Sequence, residues 1–207
     1  MKNTDLLKWT FVNALGLGIG FLVCLQLMMI FAYGFDTEKY WQWIPPQQNF
    51  MSYFGILMGA LVGGFIFGYA QSRIITKTGI KSASWILATV IGFGLLVLID
   101  WPLLYTGDLG TIPGPVEPLI FTVGGCIFAG FIQFLFLRKQ HVKAKRWLLM
   151  WIVGLAISVL VTALFFTFIG DKIGLSWPFE TFCSGFIIAG VAALISGKTL
   201  FKVLPKH

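Results

Sequence analysis

The sequence predicts an all-α integral membrane protein in which six transmembrane helices form three parallel helix-pair repeats about a pseudo-threefold axis. Three observations predict this class. Hydrophobic residues make up 57% of the 207-residue chain and charged residues only 11%, whereas soluble domains carry about a quarter charged residues. Six separate apolar stretches each approach the length of about 20 residues that a spanning helix needs. The sequence also repeats itself at a fixed offset. A soluble chain of this size keeps most of its area in water and has no core large enough to hide so much apolar surface.

The first stretch covers residues 9–33. Lys2 and Lys8 ahead of it imitate a signal peptide, but the run is long for one, and Asn13, Gln26 and Tyr33 leave no small-residue cleavage site. It is therefore read as a span. The segment Asp36 to Asn49, broken by Pro45 and Pro46, leads to the second stretch, 51–72. The basic turn Arg73 to Ser82 leads to the third, 84–104, and the Gly/Pro-rich segment Thr106 to Pro118 to the fourth, 118–137. A second basic turn, Arg138 to Arg146, precedes the fifth, 147–169, and the short loop Gly170 to Pro178 precedes the sixth, 180–198. No connection is long or polar enough for a second domain, so residues 1–207 are expected to form one transmembrane domain.

Charge sets the expected orientation. Lys2, Lys8, Arg73, Lys77, Lys81, Arg138, Lys139, Lys143, Lys145, Arg146, Lys198, Lys202 and Lys206 fall on the N-terminal side of the membrane. They are 13 of the 15 basic residues, with only Lys39 and Lys172 opposite. Asp5 is the one acid on that side; Asp36, Glu38, Asp100, Asp108, Glu117, Asp171 and Glu180 lie across. Short loops rich in Lys and Arg stay in the cytoplasm, which predicts an inner-membrane protein with both termini cytoplasmic. The net charge of +7 sits in these short blocks, so it points to anionic headgroups and away from nucleic acid.

At an offset of 62, Gly63, Gly68, Gln71, Lys77, Lys81, Trp85 and Gly92 fall on Gly125, Gly130, Gln133, Lys139, Lys143, Trp147 and Gly154. The first stretch carries the same Trp-x6-Gly start at Trp9 and Gly16. In the last, Gly185, Ile187, Ala189 and Gly190 match Gly125, Ile127, Ala129 and Gly130. Odd helices are thus one type and even helices another, which is what parallel repeats about the membrane normal require.

The candidate sites fall into three groups. Gly55, Gly59 and Gly63, Gly125 and Ala129, and Gly185, Ala189, Ala193 and Gly197 form small-residue ridges suited to close helix packing in lipid, or alternatively to docking a partner subunit or a second copy. Gln71 and Gln133 occupy equivalent places near the cytoplasmic ends of their helices, with Ala193 in the third copy. They read as interhelical hydrogen-bonding pairs or as the lining of an inner cavity, and Asn13 and Gln26 admit the same two readings. Asp100, Trp101, Trp177, Glu180 and Trp41 gather acids and aromatic rings on the outer side. Rings of this kind anchor helices at the headgroup level; with the carboxylates they also suit a mouth that attracts a cation. Trp9, Trp85 and Trp147, beside the basic turns, are expected to be interfacial anchors.

Chemistry is sparse. Apart from Asp100 and Glu180 at outer ends, the spans carry no ionisable side chain of the kind intramembrane enzymes and proton-coupled machines need. Ser158, Thr162, Thr167 and Ser184 have no visible base and are read as packing or helix back-bonding residues. Cys24, Cys126 and Cys183 lack metal or redox spacing. No metal, cofactor or catalytic residue is expected. The leading expectation is a non-enzymatic membrane subunit or regulator acting through helix contacts, with a membrane-protein partner or homo-oligomer. The alternative is a small-solute binding or transport protein, and an enzyme acting on lipid comes third.

Gly-Phe-Ile-Gln-Phe-Leu-Phe-Leu-Arg at 130–138 and Trp-Ile-Leu-Ala-Thr-Val-Ile-Gly-Phe at 85–93 resemble a class of uncharacterised bacterial multi-pass membrane proteins. Those proteins repeat Gly-x-x-Gln-Trp-Leu-x-Leu-Arg and Trp-x-x-Ala-Thr-x-x-Gly-Trp helices. The resemblance covers roughly residues 55–200, with Phe134 and Phe93 in place of the usual tryptophans and Arg73 displaced from the Arg138 position. It implies fold and location and no activity.

Overall fold

The computed structural model describes residues 3–33, 50–76, 80–105, 116–138, 144–170, 172 and 176–203. Six long helices account for nearly all of them: α1 (Asn3–Tyr33), α2 (Phe50–Ile75), α3 (Ser82–Tyr105), α4 (Val116–Arg138), α5 (Ala144–Phe165) and α6 (Trp177–Val203), with a π-helical turn over Phe166–Gly170 extending α5. The helices overrun the apolar stretches read from sequence because their ends carry polar residues that suit helix termini. Asp5 lies in the first turn of α1 and Glu180 in that of α6, where the helix dipole favours negative charge. Arg73, Arg138 and Lys202 lie in the last turns of α2, α4 and α6, where it favours positive charge. Pro178 is accommodated in the first turn of α6, whose N–H groups have no partner within the helix. The π-helical turn had no expectation in the sequence.

Four helical segments are long and apolar enough to cross a membrane: Thr4–Phe31, Phe54–Ile75, Ala144–Ile169 and Pro178–Lys202. At 1.5 Å per residue they reach about 33–42 Å, against a hydrocarbon thickness of about 30 Å. The described parts of α3 and α4, Ser82–Leu98 and Thr122–Arg138, are apolar but shorter. Large hydrophobic side chains cover the outside of the bundle, among them Phe11, Phe65, Leu87, Leu98, Leu149, Leu160 and Phe179. An outer surface of this kind is stable only against other apolar matter.

The helices pack in chain order around a closed ring: α1 on α2, α2 on α3, α3 on α4, α4 on α5, α5 on α6 and α6 back on α1, with a smaller α4–α6 contact across it. Neighbours run antiparallel, because one core cluster draws Trp9, Ile75, Trp85, Leu137, Trp147 and Leu200 from all six helices to a single end. Lys8, Arg73, Lys81, Arg138, Lys145, Arg146, Lys198 and Lys202 are exposed at that end. A second cluster fills the middle with Leu17, Phe67, Phe93, Trp151, Leu155 and Ile188, all but closed to solvent.

Small residues set the helix separations. A Cβ at Gly20 of α1 would lie 2.7 Å from the Gly63 carbonyl oxygen of α2, and one at Gly63 would lie 2.7 Å from that of Gly20. Gly59 meets the Cys24 backbone in the same way. Gly92 of α3 abuts the Ala129 backbone of α4, Gly154 of α5 abuts that of Ala192 on α6, and Gly185 abuts Leu17 and Gly18 of α1. Gly125 lies under the Phe93 ring. Gly55 and Ala189 are buried as well. Where Gly68 lets α2 approach Thr89 of α3, Gly130 of α4 receives the indole of Trp151 from α5, so a bulky side chain rather than backbone fills that seam.

A methyl group at Gly63 meets backbone, which cannot swing aside, whereas one at Gly94 meets only the end of the Leu61 side chain, at 3.0 Å. Gly63→Ala should therefore cost about 1–3 kcal/mol of stability and Gly94→Ala much less. Thermal unfolding of the two variants in detergent measures this; equal midpoints would mean that the α1–α2 approach does not govern stability.

Candidate functional site: a buried amide cluster

Polar side chains are rare in these helices, and five of them converge. Asn13, Gln71, Trp85, Thr89 and Gln133 come from four helices and are at most 1% exposed. Gln71 is central. Its Nε2 donates to Asn13 Oδ1 at 2.7 Å, and its Oε1 accepts from Trp85 Nε1 at 2.8 Å and from Gln133 Nε2 at 2.9 Å, which occupies both lone pairs of that oxygen. Gln133 Nε2 also donates to Thr89 Oγ1 at 2.8 Å. The ends of the chain return to backbone: Asn13 Nδ2 donates to the Trp9 carbonyl and Thr89 Oγ1 to the Trp85 carbonyl. The amide orientation of Gln133 follows from its neighbours, since turning it over would set two carbonyl oxygens against each other.

Helix geometry explains why these residues meet. Trp9 and Asn13 are four residues apart, as are Trp85 and Thr89, so each pair lies on one face of its helix. That face turns inward on α1 and α3, while Gln71 and Gln133 project from α2 and α4 at the same depth. The cluster is a hydrogen-bonded cross-link of neutral groups. It can hold α1 to α4 in register, but none of its members is a base or an activated nucleophile.

The three tryptophans expected to anchor at the interface are buried instead: Trp9 is 0% exposed, Trp85 and Trp147 1% each. The rings pack on other rings, Trp85 on Trp147 at 6.1 Å, Trp147 on Trp151 at 6.2 Å and Trp9 edge-on to Phe201 at 6.0 Å. Proximity to basic turns suggested headgroups, but the helices begin two to six residues before the apolar stretches, so each ring already lies within its helix, on the face turned to the bundle. Only Trp85 finds an amide. Trp9 Nε1, Trp147 Nε1 and Thr10 Oγ1 are buried without a hydrogen-bond partner among the described residues. Trp9 packs on α6 at Gly197, a helix with Ala193 at the amide's place, and the Gln133 amide is turned away from Trp147 toward α2 and α3.

Sequence reasoning missed Trp151. At the offset of 62 it corresponds to Thr89. Its Nε1 donates to the Cys126 carbonyl oxygen at 3.0 Å, which it reaches because Gly130, one turn on, has no side chain in the way. The signal was present in the Trp147/Trp151 spacing of four and in the facing glycine.

Of the outer-mouth residues, Trp41 lies outside the described residues, as do the side chains of Asp100, Trp101 and Trp177. Glu180 is half-buried in the first turn of α6, where its backbone N–H donates to the Ser176 carbonyl and its own carbonyl accepts from Ser184 Oγ. Gln26 is half-buried. Ser158, Thr162 and Ser196 all bond back to carbonyls three or four residues earlier, the back-bonding expected of helix hydroxyls. Cys24, Cys126 and Cys183 are free thiols. Among the described residues no cluster of three His, Cys, Asp or Glu side chains is placed to hold a metal.

Gln71→Leu removes three interhelical bonds and leaves two N–H donors and an acceptor buried. At about 0.6 kcal/mol per bond between helices in lipid, and at most about 1.7, it should destabilise by about 2–4 kcal/mol in denaturant titration. A loss no greater than for a surface substitution would exclude the cluster as a clamp. The indoles give an independent check: Trp85→Phe forfeits a bond and Trp147→Phe does not, so the first should lower the unfolding midpoint further, and the reverse order would contradict the assigned network. Comparison of the chain with family models, curated proteins and solved structures gives no match, and its function is read from this geometry.

Proposed function

We propose that the chain is a non-enzymatic, multi-pass membrane protein that acts through helix contacts, as a membrane subunit or regulator. The observation that carries this reading is the filled interior. Leu17, Phe67, Phe93, Trp151, Leu155 and Ile188 close the middle of the ring, and the polar groups beside them bond to one another. The four helical segments long enough to cross a membrane and the apolar outer surface support the membrane placement. In this reading all six helices span a bacterial inner membrane. The end carrying the exposed cations faces the cytoplasm and its anionic headgroups. The small-residue ridges serve packing within the bundle, since Gly59, Gly63, Gly125 and Gly185 all meet neighbouring helices of the same chain. The surface left for a partner is the apolar outer face of the helices, longest on α5, where Leu149, Ile152, Val153, Leu160 and Leu164 are exposed.

The same proposal includes three repeated helix pairs about a pseudo-threefold axis. It is supported by the glycines of the three Trp-x6-Gly starts, since Gly16, Gly92 and Gly154 each meet the second helix of their own pair. An experimental structure whose pairs do not superpose by a threefold rotation would refute this part alone.

Purification in mild detergent followed by small-molecule mass spectrometry tests the function. The expected result is a chain without stoichiometric solute, and a photo-crosslinker at Leu160 on α5 that captures one membrane protein or a second copy. A stoichiometric solute that disappears in Asp100→Asn would establish the small-solute binding reading in its place.

A further inference from the structure

The outer face of α4 carries an open groove of about 580 Å³, lined among the described residues by Ile132, Leu135, Phe136 and Arg138. Its chemistry is graded along the helix. Arg138 is the last residue of α4 and is exposed, and Leu135 and Phe136 are exposed one turn before it. Ile132 lies six residues back, which is about 9 Å along the helix axis. The groove thus has a cationic mouth at the basic end of the bundle and an apolar floor running toward the middle. Lys145 and Arg146, exposed at the start of α5, add positive potential at the same end.

We propose that this groove seats one anionic phospholipid, with an acyl chain against Ile132, Leu135 and Phe136 and the phosphate at Arg138, a placement that rests on the membrane reading above. The two halves of the site match the two halves of such a lipid. A guanidinium offers paired N–H donors to phosphate oxygens, and an apolar concavity on a lipid-facing helix is filled by a chain from the leaflet. Arg73, at the matching end of α2, is differently engaged: its guanidinium sits 5.8 Å over the Tyr69 ring, which stacks in turn on Phe65. The Arg73 guanidinium therefore lies against an aromatic face, a setting chemically unlike the mainly aliphatic lining beside Arg138.

The test uses the full chain, delipidated in detergent, with native mass spectrometry against phosphatidylglycerol, phosphatidylcholine of the same chains, and inorganic phosphate. One phosphatidylglycerol should be retained about fivefold more strongly than phosphatidylcholine, the increment of a single well-placed cation. Arg138→Gln should abolish that preference, while Phe136→Ala should weaken both lipids equally and Lys198→Gln should change neither. Equal retention of the two lipids, a preference that survives Arg138→Gln, or displacement of phosphatidylglycerol by inorganic phosphate would each overturn the site. Alkaline carbonate extraction of the wild-type chain from cell membranes separates the two levels. A chain that resists extraction but shows no lipid preference refutes the groove alone, and a chain that is extracted refutes the membrane reading with it.

Discussion

A buried side-chain amide has two donors and an acceptor to satisfy, and inside this bundle only protein can satisfy them. Leaving one unpaired away from water costs more than an ordinary hydrogen bond returns. Gln71 answers that demand with one N–H given to Asn13 and with both lone pairs of its oxygen, taken up by Trp85 and Gln133, so it bonds three residues on three different helices. Any slide of α1, α3 or α4 against α2 breaks at least one of those bonds, so the amide selects one register among the many that apolar surfaces alone would tolerate. Helix pairs held only by apolar contact have no comparable selectivity, because one leucine packs about as well as the next.

Close approach of the backbones makes such a short-armed network feasible. Gly20 against Gly63 draws α1 and α2 together, close enough for Gln71 to reach Asn13. The α3–α4 contact at Gly92 and Ala129 does the same for Thr89 and Gln133. The third pair solves the problem differently. It has Ala193 where its counterparts have glutamine and Trp151 where they have asparagine or threonine, exchanging two medium polar side chains for a large ring and a methyl group. The ring is accommodated over Gly130, and hydrogen bonding moves to the backbone, through Trp151 and the Cys126 carbonyl. The ring of helices is therefore uneven: one polar cluster spans α1 to α4, and an aromatic stack of Trp85, Trp147 and Trp151 carries the packing on to α5.

Much of this was legible before any coordinates. Six helical elements and their order follow from the apolar stretches. The pairing of Gln71 with Gln133 was visible as an offset of 62, although the offset suggested equivalent places in separate repeats, and the two amides in fact bond directly. Asn13 could be picked out as polar but not told from Gln26, because which face of α1 turns inward depends on neighbours. Position along the helix was legible, and orientation around it was not. The tryptophans show the same limit. Their place beside basic turns was read correctly from the chain, yet a residue at that depth can face headgroups or the bundle, and only the packing of Phe201 against Trp9 and of Trp147 against Trp85 decides it. Asp100, Trp101, Trp177 and Trp41 drew attention through residue type alone, with no periodicity to assign them a face.

Apolar side chains cover the outside of this bundle as well as its interior, which departs from the usual arrangement of a soluble domain, and the departure bears on function. In water, burial of Leu and Phe drives helices together and exposed polar groups are solvated without cost. Here Leu160, Phe65 and Leu98 are exposed while amides and hydroxyls are buried, so association among the helices gains little from the hydrophobic effect and depends on contact, shape and hydrogen bonds. The same physics governs any further helix that meets the outer face. A partner would find apolar side chains that bind it no better than lipid unless its own shape fits the ridges. Specific association on such a surface therefore calls for small residues or a polar group at the contact. The bundle places its own small residues against its own neighbours and its amides within one internal cluster, which leaves the outer face of α5 apolar and the end bearing Arg138, Lys145 and Arg146 positively charged.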